Sequence, residues 1–404
     1  AWGSHVFDAA SLCDERRNFR SARRRLDRRQ QRVQLLQEIF ADEIAKIDPR
    51  FFIRLSESYL WREDTPDRYI FFNDEEYTDV QYMADYPTVH HLICDLMNNK
   101  EAHDVRLVYL ACAWLVAHRG HFLSQISVDN ITSLLDIVSV YEEFMAFFTD
   151  NGYEAPWTPD AQPVGQVLKK HIGVTDKRNQ LVEVMLGGRK PDKMIRETFP
   201  YSEYCIVHLL AGGTCKLQDL YGKEEYGDLG TVSLEWDDDK LAEVMVNIGE
   251  DDDLIAVLRN LHDWSVLAEV LDGEKGITTI SASKVAIYDQ HKQDLQTLKY
   301  FIRKYCPSQY HVIFRDARDD NYVAYSYHLG SQAEGKVKKK ADIETFSKFL
   351  RKILEGLQIE AEDEEQYQDM CVRLNLQTFL PKQRNTDNRV IPHQLYESEL
   401  ITIL

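Results

Sequence analysis

Apolar residues recur three and four positions apart through Thr132–Phe148, Leu254–Leu271, Ala286–Tyr305 and Ala341–Leu357. That is the period of a helix with one face turned to a core. A longer helix is predicted from Glu15 to about Lys46, where proline and glycine are absent and good helix formers dominate. Alternation, the mark of a strand, is confined to Asn321–Tyr327 and Thr231–Trp236. Turn formers break the middle of the chain near Asp150–Val164, Gly187–Pro191 and Tyr221–Gly230. There is no internal repeat. The pattern predicts an all-α fold with little sheet.

The long N-terminal helix divides by composition. Between Asp14 and Arg32 stand nine arginines: Arg16, Arg17, Arg20, Arg23, Arg24, Arg25, Arg28, Arg29 and Arg32. At about 100° per residue they fan over roughly 240° of the circumference. Only a narrow apolar stripe remains, made of Phe19, Ala22, Leu26, Val33 and Phe40. Beyond Arg32 an ordinary core-facing pattern takes over, with Val33, Leu35, Leu36, Ile39, Phe40 and Ile44. A basic tail would lack the stripe, and a solvated face would intersperse glutamate with lysine at i,i+4 spacing. Arginine used nine times suits the paired oxygens of phosphate, which its planar fork meets in a bidentate way. The first half therefore reads as a phosphate-binding surface and the second as its anchor.

Charge sharpens this. The 404 residues carry a formal net charge of −19, whereas Asp14–Arg32 carries +6, from nine arginines against Asp14, Glu15 and Asp27. A cationic element on an acidic body points to one dedicated polyanion contact and not to non-specific nucleic-acid binding by the whole surface. Seven scattered cysteines without a CxxC pair predict reduced thiols, with Cys94 and Cys112 as small core residues. No apolar run reaches membrane-spanning length, so a cytoplasmic location is expected. Other groupings are weak. Cys205, His208 and Cys215 fall short of four zinc ligands. Gly187–Lys190 and Gly212–Thr214 lack phosphate-loop spacing. Asp237–Asp239 and Asp251–Asp253 lack calcium-loop spacing. His118 and His121 have no third ligand, and Lys336–Lys340 reads as an exposed loop. No catalytic residue and no metal ligand is assigned.

The run from Ser21 to Phe40, SARRRLDRRQQRVQLLQEIF, resembles the arginine-rich bridge helix of type II CRISPR RNA-guided DNA endonucleases. Gly3–Ala9, with Phe7-Asp8, resembles the lead-in from that family's first nuclease strand. Three later segments agree in order. They are Tyr86-Pro87-Thr88 with Val105–Leu110 and His118–Leu123; Ile280–Ser283 with Tyr288–His291 and Gln293–Leu295; and Lys382–Arg384 with Asp387-Asn388 and Ile391–Gln394.

The resemblance implies four segments: lead-in and bridge helix (1–45), a recognition lobe in two parts (46–130 and 271–404), and an inserted helical domain (131–270). It implies guide-RNA contacts from Arg17, Arg20, Arg23, Arg24, Arg25, Arg28, Arg29, Arg32, Arg119, Gly120, Tyr288 and His291. Arg384, Asn385 and Asn388 would lie on the guide:target heteroduplex. Gln30 stands where the family often has another cation, and Asn385 where threonine is common. The implied partners are guide RNA (crRNA with tracrRNA, or a fused single guide) and the target DNA strand. In this class base pairing reads the target, while protein grips backbone and duplex shape. The nuclease elements are not in this sequence, so no cutting and no cofactor is expected of it; the parent nuclease would use magnesium. Two other readings compete. One is a helical scaffold whose arginine helix docks an acidic protein, such as an anti-CRISPR inhibitor. The other is a metal-dependent hydrolase built on His118, His121 and the acidic triads.

Overall fold

The computed structural model describes residues 13–56, 69–99, 101–118, 131, 133–170, 172–235, 248, 254–268, 270–273, 276–326, 341–382 and 391–404. Among these residues the fold is all-α, and the sheet found there is a two-stranded antiparallel pair. No helix among them is long and apolar enough to cross a membrane. Contacts divide the chain into two units, 1–283 with 388–404, and 284–387. This partition cuts across the four segments read from the sequence: the first unit holds the long helix and everything to residue 283.

In the first unit, α1 (Cys13–Ile47) is followed by the short α2 (Phe51–Arg54), α3 (Asp79–Asp85), α4 (Val89–Asn98) and α5 (Val105–Ala117). The C-terminal half of α1 lies on α5. Ile44 is buried with Phe51 and Tyr109, and Leu36, Phe40 and Phe52 close over them. The rings meet edge to face, Phe52 on Tyr109 at 4.9 Å and Phe40 on Tyr109 at 5.7 Å between centroids, an arrangement that aromatic quadrupoles favour.

A buried ion network sits where α1 ends. Arg54 holds Asp48 through both guanidinium nitrogens and donates Nε–H to the Ile70 carbonyl at 3.1 Å. Arg106, whose side chain is only 4% exposed, bridges Asp104 (2.6 Å), Asp74 (2.7 Å) and Asp48 (3.4 Å), with the Phe72 ring 4.9 Å below its fork. Burial pushes the Asp48 carboxyl up. Hydrogen bonds and charge from Arg54, the Arg50 amide and the charge of Arg106 outweigh it, holding Asp48 below its ordinary 3.8. A depressed carboxylate contributes stability that is complete above the unfolded value and is lost as pH falls through the folded one. The stability gap between the native chain and Asp48→Asn should therefore be full above about pH 4 and close at more acid pH. Urea titrations at a series of pH values check this, and a gap independent of pH would contradict it.

The stretch 137–264 builds an aromatic-rich core of its own, with Tyr141, Phe144, Phe148, Trp157, Phe199 and Tyr201 in mutual ring contact. Its helices are α6 (Ile137–Asp150), α7 (Ala161–Leu168), α8 (Val174–Leu186), α9 (Glu203–Leu210), α10 (Leu217–Tyr221) and α11 (Leu254–Ala268). Asp136, Asp160 and Ser202 cap α6, α7 and α9 by accepting amide protons of the first turn. The helix α7 begins inside the stretch read as turn-rich. Asp160 starts it, and Pro163 falls in the first turn, where a missing N–H costs nothing. Gly222 ends α10 at φ +64°, and a Cβ there would meet Ile195 at 2.3 Å. The strand read over Thr231–Trp236 shortens to β2 (Thr231–Val232), paired with β1 (Cys215–Lys216).

The second unit is built on α12 (Ile280–Tyr305), whose first residues belong to the first unit. Around it are α13 (Tyr310–Phe314), α14 (Tyr322–Tyr325), α15 (Ile343–Leu354) and α16 (Glu364–Asn375). The strand read over Asn321–Tyr327 is instead the turn of helix α14. Asn321 caps it at Ala324 N–H, while its amide nitrogen donates to Val312 O (2.7 Å) and Asp316 O (2.8 Å). Val323, Ala324 and Tyr325 are buried consecutively, which a strand with one solvated face would not allow.

Candidate nucleic-acid interface

Every described side chain from Arg16 to Gln31 is exposed. Eight arginines stand there, and the one acidic residue within that stretch, Asp27, lies 4.0 Å from Arg23 Nε across one exposed turn. Phe19 and Leu26, read as part of a stripe, are 73% and 61% exposed, and so are Leu35 and Ile39 (59% and 68%) beyond the arginines. The anchor is therefore narrower than the periodicity suggested: Leu36, Phe40 and Ile44 carry it. Leu35 and Ile39 fall on the far side of the helix, because a single partner element covers only one face.

Arg32 differs from its neighbours. It is half-buried, and its Nε–H donates to the Val116 carbonyl at 3.1 Å. Val116 lies in the last turn of α5, where carbonyls lack helical partners and favour a cation. Arg32 thus marks the seam between the exposed and anchored halves.

Other residues named from the sequence are placed as follows. His118 stacks on Trp114 at 4.4 Å, and its Nδ1–H donates to Trp114 O at 2.8 Å. Arg119, Gly120, His121, the acidic triads 237–239 and 251–253, Lys336–Lys340, the lead-in 3–9, and Arg384, Asn385 and Asn388 lie outside the described residues. Among the described residues, no three metal-ligating side chains converge. His291 has both ring nitrogens engaged within its own unit. Nδ1–H donates to Pro381 O at 2.8 Å, and Nε2 accepts the Tyr322 hydroxyl at 2.9 Å. Tyr288 is half-buried on the same helix, one turn before it.

Two arrangements were not foreseen. Asp294 is buried against Arg373, which meets it with both nitrogens at 2.7 and 2.6 Å. The same carboxylate accepts the Leu380 amide at 2.8 Å. Leu380 is buried at φ +54°, a left-handed conformation that costs a branched residue about 1–2 kcal/mol. The clamp, with Tyr325 donating to Leu380 O at 2.6 Å, offsets that cost and fixes the chain up to Lys382. The second arrangement joins Ser281, Glu399 and His90. Ser281 N–H and Oγ–H donate to the two Glu399 oxygens at 2.6 and 2.8 Å, and His90 Nδ1 lies 3.0 Å from Ser281 Oγ. Burial pushes the Glu399 carboxyl up, against the pull of those bonds. All three residues are buried, and the group ties the start of α12 to the C-terminal helix His393–Ile403.

The molecule thus combines an all-α lobe with a long arginine helix, one half of it anchored and the other half bare. Residues 16–48 match the bridge helix of CRISPR-associated endonuclease Cas9, and residues 137–404 match the REC lobe of that endonuclease. The chain belongs to the Cas9 family. It is 31% identical over 413 residues to CRISPR-associated endonuclease Cas9 of Listeria innocua serovar 6a, covering all of this chain and 29% of that relative. It is also 31% identical over 410 residues to CRISPR-associated endonuclease Cas9 of Streptococcus mutans serotype c, with 28% of that relative covered. The chain thus spans less than a third of the length of either.

Proposed function

We propose that this chain grips a CRISPR guide RNA, with the exposed half of α1 laid along the guide backbone and the helical lobe holding the repeat:anti-repeat duplex. One observation carries the reading: eight exposed arginines stand on one half of a helix whose other half is anchored on α5 through Leu36, Phe40 and Ile44, so that cationic forks are presented at fixed spacing. Duplex RNA offers a wide, shallow groove lined with 2′-hydroxyls and phosphates, suited to recognition by shape. Arg384, Asn385 and Asn388 are proposed on the guide:target heteroduplex. The Asp294–Arg373 clamp holds Lys382, the last described residue before them, over the Tyr325 ring at 3.7 Å.

Filter binding of the chain to a guide carrying the repeat:anti-repeat duplex, against scrambled RNA of equal length, tests this. Guide preference is expected. If about six to nine phosphates are neutralised, log affinity should fall with log salt at a slope of about −4 to −6. Equal binding to both RNAs, or a slope shallower than about −2, would sink the proposal.

A further inference from the structure

The corner between α9 and β1 brings two cysteines together. Cys205 lies on α9 and Cys215 opens β1, ten residues later. The return is tight. Gly212 turns at φ +88°, and Gly213 passes so close to the His208 ring that a Cβ would meet it at 2.4 Å. Gly212 and Gly213 amides donate to Leu209 O (2.9 Å) and His208 O (2.8 Å), pinning the loop to the end of α9. The Cys215 thiol then donates to the Cys205 carbonyl oxygen at 3.6 Å, which seats the two residues side by side across the corner. Both residues are about 5–6% exposed. His208, at the same corner, does not complete a metal site with them.

We propose that Cys205 and Cys215 form a peroxide-sensitive dithiol that closes to an intramolecular disulfide. The Cys205 thiolate attacks one peroxide oxygen. An S–O bond forms, the O–O bond breaks, and the departing hydroxide takes a proton to leave as water. The Cys215 sulfur then attacks the sulfenic sulfur. An S–S bond forms, the S–O bond breaks, and the second water leaves carrying the Cys215 proton. Two thiols lose two electrons and one peroxide becomes two waters. The two sulfurs have distinct roles. The neighbouring Cys215 thiol draws the Cys205 thiol down to about 7, whereas Cys205 and burial push Cys215 up. Cys205 is thus the attacking sulfur and Cys215 the resolving one. By contrast, burial pushes Cys94 and Cys112 up to about 11.

The test treats the native chain with a limiting dose of hydrogen peroxide, then denatures it in alkylating agent and maps the cysteines by mass spectrometry. The expected product is one peptide pair joined through Cys205 and Cys215, lighter by two hydrogens and restored by dithiothreitol. It should form at least about tenfold faster than the Cys94 or Cys112 thiol is lost. In Cys215→Ser, dimedone should capture a sulfenic acid on Cys205; in Cys205→Ser, Cys215 should stay reduced. Circular dichroism confirms that each variant is folded, and the native-chain measurement stands without them. Both thiols remaining free, Cys205 pairing elsewhere, or Cys205 passing to sulfinic acid without a disulfide would each overturn the proposal.

Discussion

Changing Arg23, Arg24, Arg28 and Arg29 together to alanine is expected to weaken guide-RNA binding by about two orders of magnitude at roughly 0.15 M salt. Each phosphate contact on a single strand contributes about 0.7 to the salt slope, so four lost contacts make the slope shallower by about 3. At the lower salt of a typical binding assay the deficit should be larger still, since released counterions drive the association. Folding should be nearly untouched. All four side chains are exposed, alanine is the better helix former, and neighbouring positive charges are removed. Urea unfolding of the free protein separates the two effects. Loss of affinity with an unchanged salt slope would mean that the arginines act through the fold and not on phosphate.

The second large effect is expected from Arg106→Ala. Its fork serves Asp48, Asp74 and Asp104 at once, and the guanidinium is almost fully buried. Removing one member of a buried ion network leaves uncompensated charge and costs about 3–5 kcal/mol. Here Asp74 and Asp104 would lose their cation beside Phe72, while Asp48 keeps Arg54. Arg106→Lys should recover only part of the loss, because an ammonium cannot meet several carboxylates in the plane of a fork. The urea midpoint with its slope gives the measurement, and a change below about 1 kcal/mol would show that water already satisfies the three acids.

The long helix was legible because a run of nine arginines free of glycine and proline leaves little alternative, and the helical lobe because its apolar spacing holds over several turns. The misses have physical causes. The residues after Asn321, three of them buried, resemble an alternating strand until the capping amide and its two carbonyl acceptors are seen, and those acceptors lie outside the local pattern. Leu35 and Ile39 have the right hydrophobicity for an anchor, but periodicity does not say which face a partner covers. In the candidate site, the bare arginines could be read directly. The engagement of His291 with Pro381 O, and of Asp294 with Leu380, depends on contacts some ninety residues apart. The partners of Arg106 were not legible, because Asp48 and Asp74 lie 58 and 32 residues away from it in the chain.

The bare half of α1 has a further consequence. A helix–coil equilibrium is dominated by the difficulty of starting a helix, and extension from an existing turn is easier by orders of magnitude. Here the turns packed on α5 act as a nucleus, so the arginine half extends from a fixed end. Its like charges, three and four residues apart, oppose that growth, and added salt or a bound polyanion relieves them. Under the proposed grip on a guide backbone, each phosphate bound along the segment would therefore favour the helical form of the turn beside it.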